Sequence, residues 1–161
     1  MSKSGHPVPP PEDPGEPSLL LDDQLCFTLY AASRAVTSAY RPLLDAAGLT
    51  YPQYLVMLAL WEQRTATVKD LVVAVHLDYG TLTPLIKRLE SNGLVVRERR
   101  ADDERVVEVA LTEEGAALRQ HIRNLPLAIG EAVGLTDEEI GTVAELLRRL
   151  TVNVTLHTSQ R

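Results

Sequence analysis

The chain has 161 residues, a formal net charge of −6 and a single cysteine. Its 45% hydrophobic and 24% charged residues are ordinary for a globular domain with its own core. The longest wholly apolar run, residues 55–61, is too short to span a membrane, and one cysteine excludes an internal disulfide. Together with the lack of an apolar secretory signal, these features predict a cytoplasmic protein.

The N-terminal segment divides into a tail and a helix. Residues 1–17 hold six of the ten prolines and two glycines, which predicts a disordered or extended tail without an assigned function. From about residue 18 to residue 48, apolar residues recur at helical spacing, with Asp22 and Asp23 placed to suit the helix dipole. Pro42 should bend or shorten the last turns of this first helix.

Two further helices are predicted before residue 78. Thr50 can cap a second helix that has Pro52 in its first turn, and residues 55–61 are apolar nearly all round, which indicates deep burial. Thr67 and Asp70 have capping-box spacing and open a third helix, whose inward residues are Leu71, Val72 and Val75. A short connection, residues 76–78, then leads to the next helix.

This fourth helix, which we name the reading helix, has an apolar stripe and a polar, cationic face. The stripe consists of Leu82, Leu85, Ile86 and Leu89, and the opposite face carries donors suited to phosphates or base edges: Thr81, Lys87, Arg88 and Ser91. Asn92 and Gly93 should end the helix. Pro84 lacks a backbone N–H, so we expect the helix to begin near Asp78 with a disturbed first turn.

A charged hairpin follows the reading helix. Two strands are predicted at residues 94–100 and 106–111, and Val107, Val109 and Leu111 should share one face of the second, with Glu108 on the other. Residues 84–100 carry a net charge of +3, against −9 for the rest of the chain. Two tightly connected helices followed by a basic hairpin are typical of a winged helix-turn-helix that binds DNA. The alternative is an ordinary amphipathic helix and hairpin with solvated charges.

Long helical segments are predicted after the hairpin. Thr112, Glu113 and Glu114 begin a helix that should kink at Pro126 and bury a stripe of Leu118, Ile122, Leu125 and Ile129. A capping box at residues 136–139 opens the last helix, with Ile140, Val143, Leu147, Leu150 and Val154 inward.

The predicted fold class is therefore mainly α with a small β-hairpin wing, a winged helix-turn-helix flanked by dimerisation helices. We divide the chain into a tail (1–17), an N-terminal dimerisation helix (18–48), a DNA-binding module (50–111) and C-terminal dimerisation helices (112–161). The module does not need so much additional helix, so we expect a homodimer. Its two reading helices would lie about 34 Å apart on double-stranded DNA with an inverted-repeat operator.

Cys26 is the one residue with thiol chemistry. A lone cysteine is most often a small buried hydrophobe, but four tyrosines follow within thirty residues, and a phenol can stabilise a thiolate by donating a hydrogen bond. Tyr30, at i+4, could lie beside Cys26 in the same helix. Tyr40 is fourteen positions away, about 21 Å along a straight helix, so only the Tyr40 of a partner subunit could reach Cys26.

The order of elements resembles the MarR family of dimeric winged-helix regulators from about residue 20 to the C-terminus. Residues 23–27 (DQLCF), 40–45 (YRPLLD), 49–54 (LTYPQY) and 80–84 (GTLTP) are similar to its organic-hydroperoxide-sensing branch, the OhrR repressors. The resemblance implies that organic hydroperoxide oxidises Cys26 to a sulfenic acid, and that Tyr40 and Tyr51 hydrogen-bond its thiolate across the dimer interface.

The same resemblance assigns DNA-binding positions. It implies that Asp103 shapes the wing tip, that Arg105 enters the minor groove, and that Thr81, Lys87 and Arg88 lie on the reading face. Thr83 falls within one of the matching runs. Tyr79 departs from the pattern, because these regulators often have a small polar residue there.

The resemblance implies the one-cysteine type, in which a small cellular thiol caps the sulfenic acid as a mixed disulfide and the repressor releases its operator. One alternative is a MarR-type regulator that binds a phenolic or aromatic ligand reversibly, with Cys26 inert. A second is a thiol peroxidase, disfavoured because no second cysteine exists and no histidine or arginine is close to Cys26. We predict no cofactor, and the four histidines show no metal-ligand spacing.

Overall fold

A computed structural model of the chain describes residues 18–160, so the predicted tail at residues 1–17 lies outside the described residues. The chain divides into two compact units, Met1–Ala35 and Val36–Arg161. No helix in the described part is long and apolar enough to cross a membrane.

The first helix begins later than expected. A short 3-10 turn, Leu21–Asp23, precedes α1, Leu25–Asp45, and Gln24 between them has extended backbone angles (φ −85°, ψ 114°). Asp22 and Asp23 therefore lie in the turn, and the first turn of α1 carries no acid, so the predicted dipole contribution to α1 was wrong. At its other end, α1 continues through Pro42.

Helix α2, Tyr51–Gln63, begins at a capping box, with the Gln53 N–H donating to Thr50 Oγ1 and the Thr50 N–H donating to Gln53 Oε1 at 2.9 Å. The predicted deep burial is confirmed for Val56, Met57 and Leu60, whereas Leu58 is exposed. This helix is the centre of the hydrophobic core.

The helix-turn-helix is present at the expected place. Helix α3, Val68–Val75, is capped reciprocally by Thr67 and Asp70, and α4, Tyr79–Ser91, is the reading helix. His76 ends α3 in the left-handed conformation (φ 53°), which turns the chain sharply toward α4. The core beneath these helices contains their fully buried side chains Leu71, Leu82, Ile86 and Leu89.

The wing belongs to a three-stranded antiparallel sheet rather than to an isolated hairpin. The predicted strands form β2, Val95–Arg99, and β3, Val107–Leu111, and β1, Thr65–Thr67, pairs with the other side of β3. Val109 lies opposite Ala66 on β1 and Arg97 on β2. Strand β1 was not predicted, because three residues are too few to show an alternating pattern.

The C-terminal segment forms three helices: α5, Glu113–His121; α6, Leu125–Val133; and α7, Asp137–Ser159. The prediction of one helix kinked at Pro126 was wrong. Pro126 has no N–H to donate to the Ile122 carbonyl, which instead accepts from the Leu125 N–H at 2.9 Å, so a new helix begins there.

Helix α7 starts at the predicted Thr136–Glu139 capping box. Its apolar stripe, however, is not inward in the protomer, since α7 has no buried residue among those described.

Candidate nucleic-acid interface and thiol site

The start of the reading helix α4 is set by Asp78. Its carboxylate accepts hydrogen bonds from the Thr81 N–H at 2.8 Å and the Thr81 hydroxyl at 2.9 Å, and these bonds lower the Asp78 pKa. The early start is confirmed, but the expected disturbance of the first turn is wrong. The Leu82 N–H reaches the Asp78 carbonyl at 2.9 Å, and the helix continues through Pro84.

The two faces of α4 separate as predicted. Leu82, Ile86 and Leu89 are buried, whereas the polar side chains on the other face are exposed: Thr81, Thr83, Lys87, Arg88 and Ser91. Two of the predicted hydroxyl donors already have partners, because the Thr81 hydroxyl bonds to Asp78 and the Ser91 hydroxyl donates to the Lys87 carbonyl. Tyr79, at the first position of α4, is 54% exposed.

The tip of the wing is a tight turn built around Asp103. Its carboxylate accepts from the Arg105 N–H at 3.0 Å and its carbonyl from the Val106 N–H at 2.9 Å. Arg100 is held by Asp102 and lies 3.7 Å from Glu108, so acids offset much of its charge. Arg105 is exposed and forms no ion pair with a described residue, which leaves its cation available for a phosphate or a base edge.

A cleft of about 550 Å³ lies between the start of α3, the reading helix and the wing. Four cationic side chains line it together with apolar residues: Lys69, Arg97, Arg100 and Arg105. Tyr79 and Thr83 of α4 also belong to the lining. An anionic backbone is the natural partner of such a surface, because lysine and arginine bind phosphate oxygens by charge and by hydrogen bonds.

Cys26 is exposed and lies in the first turn of α1. In the protomer, Cys26 is therefore not a small buried hydrophobe. Tyr30 lies one turn further along and is also exposed, and the Arg34 guanidinium carbon is 5.7 Å from the centre of its ring. Both Cys26 and Tyr30 belong to the N-terminal unit, whereas Tyr40 and Tyr51 belong to the second.

The structure brings Tyr40 and Tyr51 together with a third phenol, Tyr54. The ring centres of Tyr40 and Tyr51 are 4.9 Å apart, and Tyr54 lies 5.6 Å from Tyr40 and 6.4 Å from Tyr51. Burial, and secondarily the neighbouring phenols, raise the pKa of Tyr40 and Tyr54, so both stay protonated and can donate hydrogen bonds at neutral pH.

Tyr54 and Trp61 were not predicted as residues of this site. Tyr54 follows Tyr51 by three positions on α2, which places both on one helix face, and this spacing was the available signal. The Tyr54 ring also contacts Trp61, whose indole N–H donates to the Gly115 carbonyl at 2.7 Å. That bond depends on tertiary packing and leaves no local signal in the sequence. No group of three potential metal ligands occurs among residues 18–160.

Comparisons with known proteins agree with this geometry. The family model for the transcriptional regulator SarA/Rot matches residues 38–122. The organic hydroperoxide resistance transcriptional regulator of Bacillus subtilis is 46% identical over 138 residues, which cover 85% of this chain and 92% of that protein.

Two solved structures are similar in fold. AbfR of Staphylococcus epidermidis, in its reduced form bound to DNA, is 36% identical with a TM-score of 0.71, over 84% of this chain and 94% of that one. BpsR of Bordetella bronchiseptica, whose DNA binding is regulated by 6-hydroxynicotinic acid, is 27% identical with a TM-score of 0.73, over 80% of this chain and 99% of that one.

Proposed function

Because the chain belongs to the MarR-like winged-helix transcriptional regulators, the family of SarA/Rot and of the organic hydroperoxide resistance regulators, we propose that it senses organic hydroperoxides through Cys26. It is a DNA-binding regulator. In the proposed function, the reduced homodimer represses by occupying an inverted-repeat operator, and oxidation of Cys26 releases it. The observation that carries the proposal is the exposed single thiol in the first turn of α1, in a chain 46% identical to a hydroperoxide resistance regulator.

The reading helix α4 would enter the major groove. Its exposed Lys87 and Arg88 can bind phosphates or guanine edges, and Thr81 and Thr83 lie on the same side. Tyr79, at the first position of α4, would present its exposed phenol to the same groove. Arg105, whose backbone N–H is bound by the Asp103 carboxylate in the wing turn, would extend its side chain into the adjacent minor groove.

A homodimer is supported by the C-terminal helix. Ile140, Val143, Leu147 and Val154 form a stripe on α7 that remains partly or largely exposed in the protomer. A long helix with an uncovered apolar stripe is stable when a partner covers it. We assign residues 18–48 and 112–161 to dimerisation and residues 50–111 to DNA binding.

The redox step begins with the Cys26 thiolate attacking the outer oxygen of a hydroperoxide. The O–O bond breaks with its electron pair, the alkoxide takes a proton and leaves as an alcohol, and Cys26 becomes a sulfenic acid. A small cellular thiol then displaces water and leaves a mixed disulfide. Tyr40 and Tyr51 of the partner subunit would stabilise the thiolate, since Tyr40 of the same chain is fourteen positions along the helix from Cys26.

The bulky adduct would disturb the dimer interface and move the two reading helices out of register with the operator. The test is operator binding by fluorescence anisotropy on reduced protein, before and after cumene hydroperoxide with a small thiol. Wild type should release DNA, whereas Cys26→Ser should stay bound. Release by both proteins, or by neither, would contradict the proposal.

A second candidate is regulation by a reversibly bound aromatic acid. A cavity of about 300 Å³, lined by Thr37, Arg41 and Tyr51 among others, could hold such a molecule, and BpsR is regulated by 6-hydroxynicotinic acid. The same anisotropy assay distinguishes the two. A ligand of this class should release wild type and Cys26→Ser equally and without oxidant, and lack of release by 6-hydroxynicotinic acid and similar acids would argue against it.

A further inference from the structure

An acidic residue, Glu90, stands near the end of the reading helix, on a surface otherwise rich in cations. Its carboxylate is bound three times by one residue of the wing. One oxygen accepts from the Arg97 Nε–H at 2.8 Å and lies 2.7 Å from Arg97 Nη2, and the other accepts from the Arg97 backbone N–H at 3.3 Å. Both side chains are about one-third exposed (31% and 34%).

This contact joins two elements that carry different parts of the DNA surface. Glu90 belongs to α4, whereas Arg97 is the central residue of β2, where it pairs with Val109 of β3. Arg97 also lines the cleft between α4 and the wing. One carboxylate thus holds the guanidinium and the backbone of the same residue, a two-point attachment that restricts both the distance and the angle between helix and wing.

Neither charge nor stability explains an acid at this position. A carboxylate near phosphates opposes DNA binding, because it adds like charge to the interface. A partly exposed ion pair also contributes little to folding. The remaining effect of Glu90 is to fix the position of Arg97, and with it the wing, relative to α4.

We propose that the Glu90–Arg97 pair positions the wing relative to the reading helix, so that α4 and Arg105 engage one operator together. The inference rests on the proposed DNA-reading role of α4 and the wing. Glu90 and Arg97 are then positioning residues, and they act on discrimination between operator and other DNA more than on general affinity for DNA.

Substituting glutamine for the acid tests this inference, because charge and geometry predict opposite results. Glu98, on the same strand, is exposed and forms no ion pair with a described residue, so Glu98→Gln is the matched control. Glu98→Gln removes one negative charge and should leave operator binding unchanged or slightly tighter. Glu90→Gln removes the same charge but should weaken operator binding about tenfold, the effect of losing about 1.4 kcal/mol. Its affinity for random-sequence DNA should stay the same or rise slightly, as for Glu98→Gln.

Arg97→Lys is the second variant, because lysine keeps the positive charge but lacks the planar guanidinium with its several N–H donors. It should lower the ratio of operator to random-DNA affinity while preserving the salt dependence. Circular dichroism and thermal melting check that each variant is folded.

Tighter operator binding by Glu90→Gln, or an equal loss on operator and random DNA, would overturn the inference. So would an unchanged affinity ratio in Arg97→Lys. Arg105→Ala distinguishes failure of the proposed function from failure of this inference. If Arg105→Ala has no effect on operator binding, the proposed DNA contact of Arg105 fails. The positioning role of the Glu90–Arg97 pair is then decided by comparing Glu90→Gln with Glu98→Gln.

Discussion

Replacing Gly115 by alanine should destabilise the protein, although alanine is the better helix former. A Cβ built on Gly115 would lie 2.0 Å from the Leu94 carbonyl oxygen and 2.9 Å from its carbon. These are backbone atoms, and the same region is fastened by the Thr112 hydroxyl, which donates to the Gly93 carbonyl at 2.6 Å. Helix α5 would therefore have to move by more than 1 Å relative to the start of the wing.

The size of the effect follows from three contributions. Alanine gains about 1 kcal/mol in helix propensity over glycine. Overpacking against a fixed backbone costs about 1–3 kcal/mol. Moving the Gly115 carbonyl away from the buried Trp61 indole N–H costs about 1–3 kcal/mol more. The net loss should be about 1–5 kcal/mol, a fall in melting temperature of about 2–20 °C.

Urea unfolding followed by the fluorescence of Trp61, the one tryptophan in the chain, measures the effect at constant protein concentration. The control is Gly141→Ala in α7, where a Cβ meets nothing within 4 Å and alanine should be neutral or stabilising. Equal stability of Gly115→Ala and Gly141→Ala would refute the close approach of α5 to Leu94.

Three further predictions concern DNA binding, pH and assembly. Arg105→Ala should weaken operator binding and reduce the slope of log affinity against log salt by about 1. The control is Arg119→Ala, which removes an exposed cation on α5 and should change neither the affinity nor the slope. Fluorescence anisotropy across a salt series measures the affinity and the slope for each variant. Because hydrogen bonds from Thr81 lower the Asp78 pKa, the cap stabilises the fold above about pH 4 and is lost as the pH falls through the lowered value. The stability difference between wild type and Asp78→Ala should therefore shrink on acidification in urea titrations, and a constant difference would contradict this cap. Leu147→Glu should shift the protein toward monomer in sedimentation experiments, and an unchanged dimer would remove the α7 stripe from the interface.

Local signals predicted the helix boundaries well where a capping residue was present. Thr50, Thr67, Thr112 and Thr136 each begin a helix at the expected place. Capping was recognisable because donor and acceptor lie within three residues of each other. Errors occurred where no cap marked a boundary, as at Gln24, whose extended backbone separates the 3-10 turn from α1.

The candidate site also contains residues that local spacing predicted and residues that only tertiary packing brings together. The exposed face of α4 was predictable because a period of 3.6 residues separates it from the buried stripe. The grouping of Tyr40 with Tyr51 and Tyr54 involves two helices, and the three contacts from Arg97 to Glu90 cross from a strand to a helix, so neither follows from local spacing.

The amino-acid sequence by itself determined the order of α1 to α4 and of the two wing strands, the faces of the helices and the concentration of positive charge around the wing. These properties arise from periodicity and short-range hydrogen bonds, which act between residues a few positions apart. Tertiary structure alone decided that β1 joins the sheet, that Gly115 must have no side chain, and that the Glu90 carboxylate binds Arg97 of the wing. Each of these depends on contacts between residues distant in the chain or on separate elements, whose partners are selected only when the helices pack on the sheet.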